Sequence, residues 1–361
     1  MSIETLPPAP APARIDAIQA LRAAAALLVV GFHLHGALLV EGMAAGAFAP
    51  FAHGEAGVDL FFVISGFIIL YTTRRRPDAG VGRFIKARFV RIYPIYWVIL
   101  AIYVALGIAM AAVGQDTSIP IDPRTILNSA TLFPYAREVI PVAWTLTLEV
   151  TFYALFAATY FTLGLRGFLI ALALWALAAQ LVLIAAPPAS PWLSLTMYSG
   201  NIEFLYGAVI ALLAERGRPR FALPIGVLGL VLFCLAFTGA PKGWGYLGHR
   251  EFAIGLPAAM ILYGALGWQR AMPRWVIQLG DASYILYLGH LLALSMMLLV
   301  CRPFIGDSTI AAVSFGVVYL VIVSAGSVVA HHLIERPLTK WTAKALDRVK
   351  LSPPTATTSQ P

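Results

Sequence analysis

Apolar segments long enough to cross a bilayer follow one another through most of this chain, separated by short stretches rich in charge, proline or glycine. Hydrophobic residues make up 60% of the 361 positions and charged residues only 12%, whereas a soluble domain has about 25% charged residues. So few charges cannot cover a globule with a surface that water accepts. The sequence therefore predicts an all-α polytopic membrane protein.

Charge, proline and glycine divide the chain into about ten candidate transmembrane helices. Their approximate limits are 15–40, 57–73, 93–113, 143–163, 168–187, 199–214, 221–238, 250–267, 282–300 and 309–332. With the first residue in the cytoplasm, nineteen Lys and Arg residues fall in inner segments and five in outer ones. Cytoplasmic loops of membrane proteins carry such an excess of cations, so we expect both termini in the cytoplasm. The net charge of +8 is explained in this way, and no nucleic-acid partner is expected.

The domain organisation expected from the sequence is a single membrane domain between two tails. Residues 1–13 are rich in proline and alanine and are predicted to be a disordered tail, residues 14–340 form the membrane domain, and residues 341–361 form a cytoplasmic, mostly disordered tail. A cleaved signal peptide ending near "MAAGA" is the alternative for the beginning of the chain.

The first segment contains two residues that lipid disfavours, Arg22 and His33. They are eleven positions apart, about three helical turns, so both lie on one helix face roughly 16 Å apart along the axis. His33 is the candidate catalytic base, because a neutral imidazole accepts a proton near pH 7. His35 lies about 200° around the helix from His33, so the two cannot chelate one metal ion, and no metal site is expected.

Carboxylates also occur in the predicted outer half of the bundle. Glu149 lies within a segment and needs a partner there, whereas Asp59 and Glu203 begin segments, where a helix dipole accepts an anion for purely structural reasons. Glu149, or alternatively Asp59, is predicted to orient the His33 ring and to stabilise its protonated form.

The inner segment 74–94 carries seven cations besides one acid, Asp78. Arg88 and Arg91 are one helical turn apart and are predicted to bind a phosphate-bearing ligand, with Arg83 and Lys86 nearby. Binding of anionic lipid headgroups is the alternative explanation for this cation-rich segment. Pro94 is expected to break or start a helix just after it.

Hydroxyl groups and a second histidine complete the candidate site residues. Ser65, Trp144, Tyr153 and His290 are candidates for substrate contacts or for stabilising an oxyanion. A membrane serine hydrolase using Ser65 and His290 is an alternative, but the glycine usual two positions before the serine is Val63 here. Gly66 is expected to permit close helix packing instead.

Six motifs occur in order from Ile15 to Pro337: Arg22 and His33 with ten residues between them, "GVDLFFVISGFII", "RFIKARFVRIYPIYW", "WTLTLEVTFYALF", "LGDASYILYLGH" and "IERP". In this set the chain resembles the acyltransferase-3 family of integral-membrane acyltransferases, and its opening is most similar to exopolysaccharide O-acetyltransferases. Ile68 and Thr145 are mild departures from the usual pattern.

The resemblance implies transfer of an acyl group, usually acetyl, from cytoplasmic acyl-CoA to a hydroxyl on an acceptor at the outer side. It implies catalysis by His33, with Arg22 three turns before it and Arg88 and Arg91 on the donor side. The expected acceptor is a polysaccharide or a lipid-linked oligosaccharide, and the expected location is the inner membrane of a bacterium. No bound cofactor is expected besides the donor substrate. A transporter of a polysaccharide precursor or another phosphorylated intermediate is the main alternative.

Overall fold

The fold was analysed in a computed structural model, which describes residues 16–43, 45–114, 119–134, 138–185, 190–217, 219–237, 250–305 and 308–350. The described chain is helical, with no strand among these residues. The helices are α1 (Asp16–Val40), α2 (Ala56–Arg74), α3 (Val81–Ala112), α4 (Pro123–Thr131), α5 (Trp144–Ala185), α6 (Pro191–Thr196), α7 (Asn201–Glu215), α8 (Ala222–Phe237), α9 (Leu256–Leu266), α10 (Arg274–Asp281), α11 (Ser283–Ile305), α12 (Thr309–Ala330) and α13 (Arg336–Lys350). One-turn π segments precede α9 and α13.

Seven helical stretches in the described chain are long and apolar enough to cross a membrane, and α8 and α9 are shorter apolar helices. The chain is therefore a multi-pass membrane protein. Each of the ten predicted segments lies on a helix of the structure. The count of ten and the cytoplasmic placement of the termini remain predictions.

Gly164 divides α5 into two helices. Its φ of 70° and ψ of −170° lie where essentially only glycine is tolerated, because any Cβ would clash with the backbone. The break falls between the two segments that the sequence predicts here, 143–163 and 168–187.

The cation-rich stretch 74–94 is helical from Val81 onward. Helix α3 begins at Val81 and continues through Pro94, so the expectation that Pro94 interrupts or starts a helix was wrong. Phe84 is 7% exposed and Ile92 2% exposed on this part of α3. Burial of these apolar side chains against the bundle holds the helix together across the proline.

Helix α4 folds back along α3 and leaves the next helix starting deep in the bundle. Three α3 side chains donate to the last carbonyls of α4: Tyr96 to Ser129 (2.8 Å), Trp97 to Ala130 (2.8 Å) and Tyr93 to Thr131 (3.0 Å). The Ser129 carbonyl also accepts the backbone N–H of Leu132 over 3.0 Å, and the side-chain donors supply partners for carbonyls that a helix end otherwise leaves unpaired. Helix α5 then begins among buried residues, since Val142, Ala143 and Thr145 are 3%, 0% and 7% exposed.

The first turn of α4 is capped outside the spans. Thr125 donates its backbone N–H to the Asp122 carboxylate over 2.9 Å, which satisfies one orphan donor of the helix. The same bond lowers the pKa of Asp122 below its usual value.

Close packing of α2 against α7 depends on two glycines. A Cβ added at Gly66 would lie 2.2 Å from the carbonyl oxygen of Phe204, and one at Gly207 would lie 2.1 Å from that of Val63. The packing role expected for Gly66 is therefore confirmed. This contact holds the middle of α2 firmly in the bundle, next to α1.

The end of the described chain differs from the predicted boundary at residue 340. Helix α13 continues to Lys350, ten residues into the segment expected to be a mostly disordered tail. Lys86 of α3 forms an ion pair with Asp347, which fixes this helix against α3. The predicted tails at 1–13 and 351–361 lie outside the described residues.

Candidate active site

Arg22 and His33 both face α11, as expected for residues on one face of α1. Arg22 donates from Nε and Nη2 to Ser283 Oγ over 3.2 and 3.0 Å, and His33 lies against His290 two turns further along α11. Alanines at positions 23, 25 and 26 of α1 are buried, and their small side chains allow neighbouring helices to approach.

A cavity of about 120 Å³ lies among α1, α2, α3, α5 and α11. Its wall contains three guanidinium groups, those of Arg22, Arg88 and Arg91, and one carboxylate, that of Glu149. Arg91 is paired with Glu335 outside the wall (2.8 Å), and the two remaining positive charges facing one negative charge favour an anionic ligand in these low-dielectric surroundings.

Glu149 is held inside this cavity by two hydroxyl donors. Ser65 donates to its Oε1 over 2.8 Å, and Tyr153 donates to the same oxygen. Hydrogen bonds to a charged acceptor contribute about 1.5–3 kcal/mol each. Because both hydroxyl hydrogens point at Glu149, neither Ser65 nor Tyr153 presents a donor to an oxyanion in this arrangement.

Arg91 is held by a chain of contacts from the π segment before α13. Its Nη1 lies 2.8 Å from Glu335 Oε1, and His331 Nδ1 lies 2.8 Å from the other oxygen of Glu335. The guanidinium also lies 5.1 Å from the ring centroid of Tyr284. Glu335 is 3% exposed in its side chain, so it compensates the charge of Arg91 from a buried position.

Arg88 is less constrained than Arg91. Its guanidinium lies beside the rings of Phe84 (5.7 Å) and Tyr153 (5.8 Å). Its Nε is buried and has no hydrogen-bond partner among the described residues. A buried donor of this kind is costly unless a ligand or water accepts from it, so Arg88 is the arginine best placed to bind an anion in the cavity.

The two histidines form a pair beyond the cavity and are not part of its wall. His33 Nδ1 lies 3.1 Å from His290 Nε2 and 2.9 Å from the carbonyl oxygen of Val29. His290 Nδ1 lies 2.7 Å from the carbonyl oxygen of Tyr287, and Tyr287 does line the cavity. Phe61, also in the wall, packs edge-on against Tyr287 at 5.9 Å. Tyr287 therefore connects the wall of the arginine cavity to the histidine pair.

The structure corrects the role expected for the carboxylates. Asp59 is 1% exposed and binds Arg250 through two bonds, to Nε (3.0 Å) and Nη2 (2.5 Å), while Glu149 binds hydroxyls in the cavity. Neither carboxylate is hydrogen-bonded to His33, whose Nδ1 instead contacts His290 and the Val29 carbonyl. Glu149 lies among the arginines because α5 starts deep in the bundle, which the sequence alone did not indicate.

The remaining predicted residues lie away from the cavity wall. Lys86 pairs with Asp347 of α13, Arg83 is exposed, and Trp144 packs edge-on against Tyr198 at 5.4 Å. Their predicted parts in substrate binding therefore stay predictions. His35 lies 3.2 Å from the carbonyl oxygen of Ala45 through its Nδ1, on a different side of α1.

The serine hydrolase alternative has no support in this geometry. Ser65 donates to Glu149 and His290 pairs with His33, so the serine and histidine that such an enzyme would couple are bonded elsewhere.

Sequence reasoning missed the partners that hold the site residues. Ser283 and His290 are seven residues apart in "SYILYLGH", a spacing that places both on one helix face, as with Arg22 and His33. Glu335 belongs to the "IERP" motif, whose acid had been given no role. Both patterns can be read from the sequence, but the sequence does not show which helices face each other.

Comparison with known proteins points to one family. The sequence model of the family described as an acyltransferase domain matches residues 15–332. The "Exopolysaccharide production protein ExoZ" of Rhizobium meliloti (strain 1021) is 32% identical over 264 residues, which are 68% of this chain and 78% of that protein. "Protein 2 in picA locus" of Rhizobium radiobacter is 31% identical over 143 residues, 38% of this chain and 70% of that protein. No solved structure matches. The chain therefore belongs to the acyltransferase-3 family and is a membrane acyltransferase.

Proposed function

We propose that this membrane acyltransferase moves an acyl group, acetyl in the first instance, from cytoplasmic acyl-CoA to a hydroxyl of a surface or secreted polysaccharide. The proposed location is the inner membrane of a bacterium. The observation that carries the proposal is the cavity with three arginines and one carboxylate, one helical turn from a histidine pair.

The charge of the cavity supports an acyl-CoA donor. The donor carries several phosphates, and Arg88 offers a buried Nε with no hydrogen-bond partner in the described chain. A volume of about 120 Å³ is too small for a nucleotide. The adenosine would therefore stay outside the cavity, with the diphosphate at Arg88 in its wall and the thin thioester arm beyond it.

The histidine pair supports base catalysis by His33. As the acceptor hydroxyl oxygen attacks the thioester carbonyl carbon, His33 Nε2 takes the hydroxyl proton. The new carbon–oxygen bond forms, the carbon–sulfur bond breaks, and the proton passes to the thiolate, which leaves as the free thiol of CoA. In this proposal the thioester reaches His33 from the cavity beside Tyr287, which lines the cavity one turn before His290.

The names of relatives support the acceptor class. The Rhizobium meliloti relative is named for exopolysaccharide production. Exopolysaccharide, as polymer or as lipid-linked oligosaccharide, is therefore the acceptor we propose. Membrane lipids are the other partners we propose, since they would surround the bundle.

The experiment that tests this function compares three versions of the protein in proteoliposomes supplied with labelled acetyl-CoA and de-acetylated exopolysaccharide. Wild type is expected to place base-labile label on the polymer, and His33→Ala to lose at least about 100-fold in rate. His35→Ala is the matched control, because His35 contacts the Ala45 carbonyl away from the pair, and it should keep the wild-type rate.

Two outcomes would contradict the proposal. Wild-type protein that transfers no label to any hydroxyl acceptor would refute acyl-CoA-dependent transfer, and movement of a phosphorylated precursor across the vesicle wall would then support the transporter alternative. Full activity of His33→Ala, with folding matched by gel filtration, would exclude His33 as the base.

A further inference from the structure

We infer that His290 is a positioning residue, which holds the ring of His33 so that Nε2 of His33 presents its lone pair to the acceptor hydroxyl. The inference deepens the proposed function and rests on it. It assigns to a neutral imidazole the orienting task that a carboxylate performs in other histidine-dependent acyl transfers.

A backbone carbonyl group can only accept a hydrogen bond. His290 Nδ1 lies 2.7 Å from the Tyr287 carbonyl oxygen, so this nitrogen carries the hydrogen. A neutral imidazole has one N–H, and His290 Nε2 is therefore a bare acceptor. That acceptor lies 3.1 Å from His33 Nδ1.

The hydrogen of the neutral His33 ring lies on Nδ1 for a similar reason. Its Nδ1 faces two acceptors, His290 Nε2 at 3.1 Å and the Val29 carbonyl oxygen at 2.9 Å, and must itself be the donor. The remaining nitrogen, Nε2, carries the lone pair, which is the form that a general base requires.

His290 adds what the Val29 carbonyl alone does not provide. Within α1 that carbonyl already accepts the backbone N–H of residue 33, the usual bond to the fourth preceding residue. With Val29 as the only acceptor, the imidazole is free to turn over about its second side-chain torsion, which puts ring carbons where Nδ1 and Nε2 stood. His290 meets it from a different helix and fixes the ring plane, with the two ring centroids 4.9 Å apart.

His290 is itself held firmly enough to act as a support. Its side chain is fully buried, and Tyr319 of α12 donates to its backbone carbonyl over 3.0 Å. Tyr287, whose carbonyl receives the His290 hydrogen, is fixed by contacts of its hydroxyl with Thr145 Oγ1 (2.9 Å) and the Val142 carbonyl (3.2 Å). Contacts from α12 and from the beginning of α5 therefore hold the His290 backbone and the neighbouring Tyr287 in place.

The pair also accommodates the proton that His33 takes up during the reaction. Protonated His33 has a hydrogen on each ring nitrogen, and its Nδ1–H continues to donate to His290 Nε2. The contact thus persists through the catalytic step, and no rearrangement of the pair is needed.

The kinetic test uses two substitutions of His290 in the full-length protein in proteoliposomes. His290→Leu fills a similar volume without an acceptor, whereas His290→Gln places an amide oxygen where Nε2 stands. We expect His290→Leu to lower kcat about tenfold or more at an unchanged KM for acetyl-CoA, and His290→Gln to recover most of that loss. Equal loss in both variants, or a change in KM alone, would show a packing role and overturn the inference.

The second measurement does not depend on activity. Nitrogen-15 spectra of histidine-labelled protein report which ring nitrogen carries the hydrogen, and the His33→Gln spectrum assigns the His33 signals among the seven histidines. We expect protonated Nδ1 and bare Nε2 for His33 in wild type, with mixed forms in His290→Leu. His332 is the internal control, because its Nδ1 contacts the Val328 carbonyl over 2.8 Å in the same way as His33 contacts Val29. The His332 signals should be the same in wild type and in His290→Leu.

The two readouts separate failure of this inference from failure of the proposed function. If wild type transfers no acetyl group but the spectra change as expected, the positioning is right and the proposed reaction is wrong. If transfer occurs and His33 keeps one tautomer with unchanged kcat in His290→Leu, the reaction stands and the positioning role is refuted.

Discussion

Substituting alanine for Gly66 tests whether the α2–α7 contact sets the geometry of the cavity. The added Cβ would lie 2.2 Å from the Phe204 carbonyl oxygen, a separation below 3.0 Å that real Cβ atoms essentially never show. Because the obstacle is backbone, α2 and α7 must separate by roughly 1 Å. Overpacking of this kind costs about 1–3 kcal/mol.

A matched control isolates that cost. Gly326 lies in α12, and a Cβ built there meets no atom within 4 Å. Both substitutions gain the same helix propensity, about 0.8–1 kcal/mol. The difference between the two variants is therefore the clash alone, and Gly66→Ala should be about 1–3 kcal/mol less stable than Gly326→Ala.

The assay is thermal unfolding of the two purified variants in one detergent, followed by acetyl transfer at saturating donor. We expect a lower melting temperature for Gly66→Ala and a reduced rate, because the adjacent Ser65 holds Glu149 over 2.8 Å in the cavity. Adding Gly207→Ala should cost less in the Gly66→Ala background than in wild type, since the helices have already moved apart. Equal stability of the Gly66 and Gly326 variants would refute the close contact.

Three further outcomes are expected from residues around the arginines. Glu335→Leu should raise the KM for acetyl-CoA about tenfold, and Glu335→Gln should raise it less, because the amide oxygen still accepts from Arg91. Equal KM values for the two variants in steady-state kinetics would contradict this. Arg88→Gln should raise the same KM at unchanged thermal stability, and a lower melting temperature at unchanged KM would instead mark Arg88 as structural. Lys86→Gln should change the free energy of unfolding by less than about 1 kcal/mol, because its partner Asp347 is 66% exposed, and a larger loss by thermal unfolding would disprove that estimate.

Much of the fold follows from local properties of the chain. Apolar runs placed a helix at each predicted segment, and the break in α5 falls at Gly164, between two of them. Helix ends were less predictable: α3 runs through Pro94 because tertiary burial outweighs the local penalty of a proline. The same limit explains why α13 extends past residue 340.

The candidate site was likewise predictable only in its local features. Helical periodicity alone placed Arg22 and His33 on one face, since 3.6 residues per turn is a property of the backbone. Periodicity cannot say which helix that face meets. The expected partners for His33, Glu149 and Asp59, were chosen by charge, and both proved to be bonded elsewhere.

The sequence by itself determined that this chain crosses a membrane and that its spans contain cations and a histidine. The reason is that the length and composition of each segment decide whether it spans a bilayer. Only the tertiary structure decided which of these residues contact each other. His290 reaches His33 across 257 positions and Glu335 reaches Arg91 across 244, since contacts between helices depend on how the whole bundle packs. Long-range pairing of this kind is selected by shape and by satisfaction of every buried polar group, and no local pattern records it.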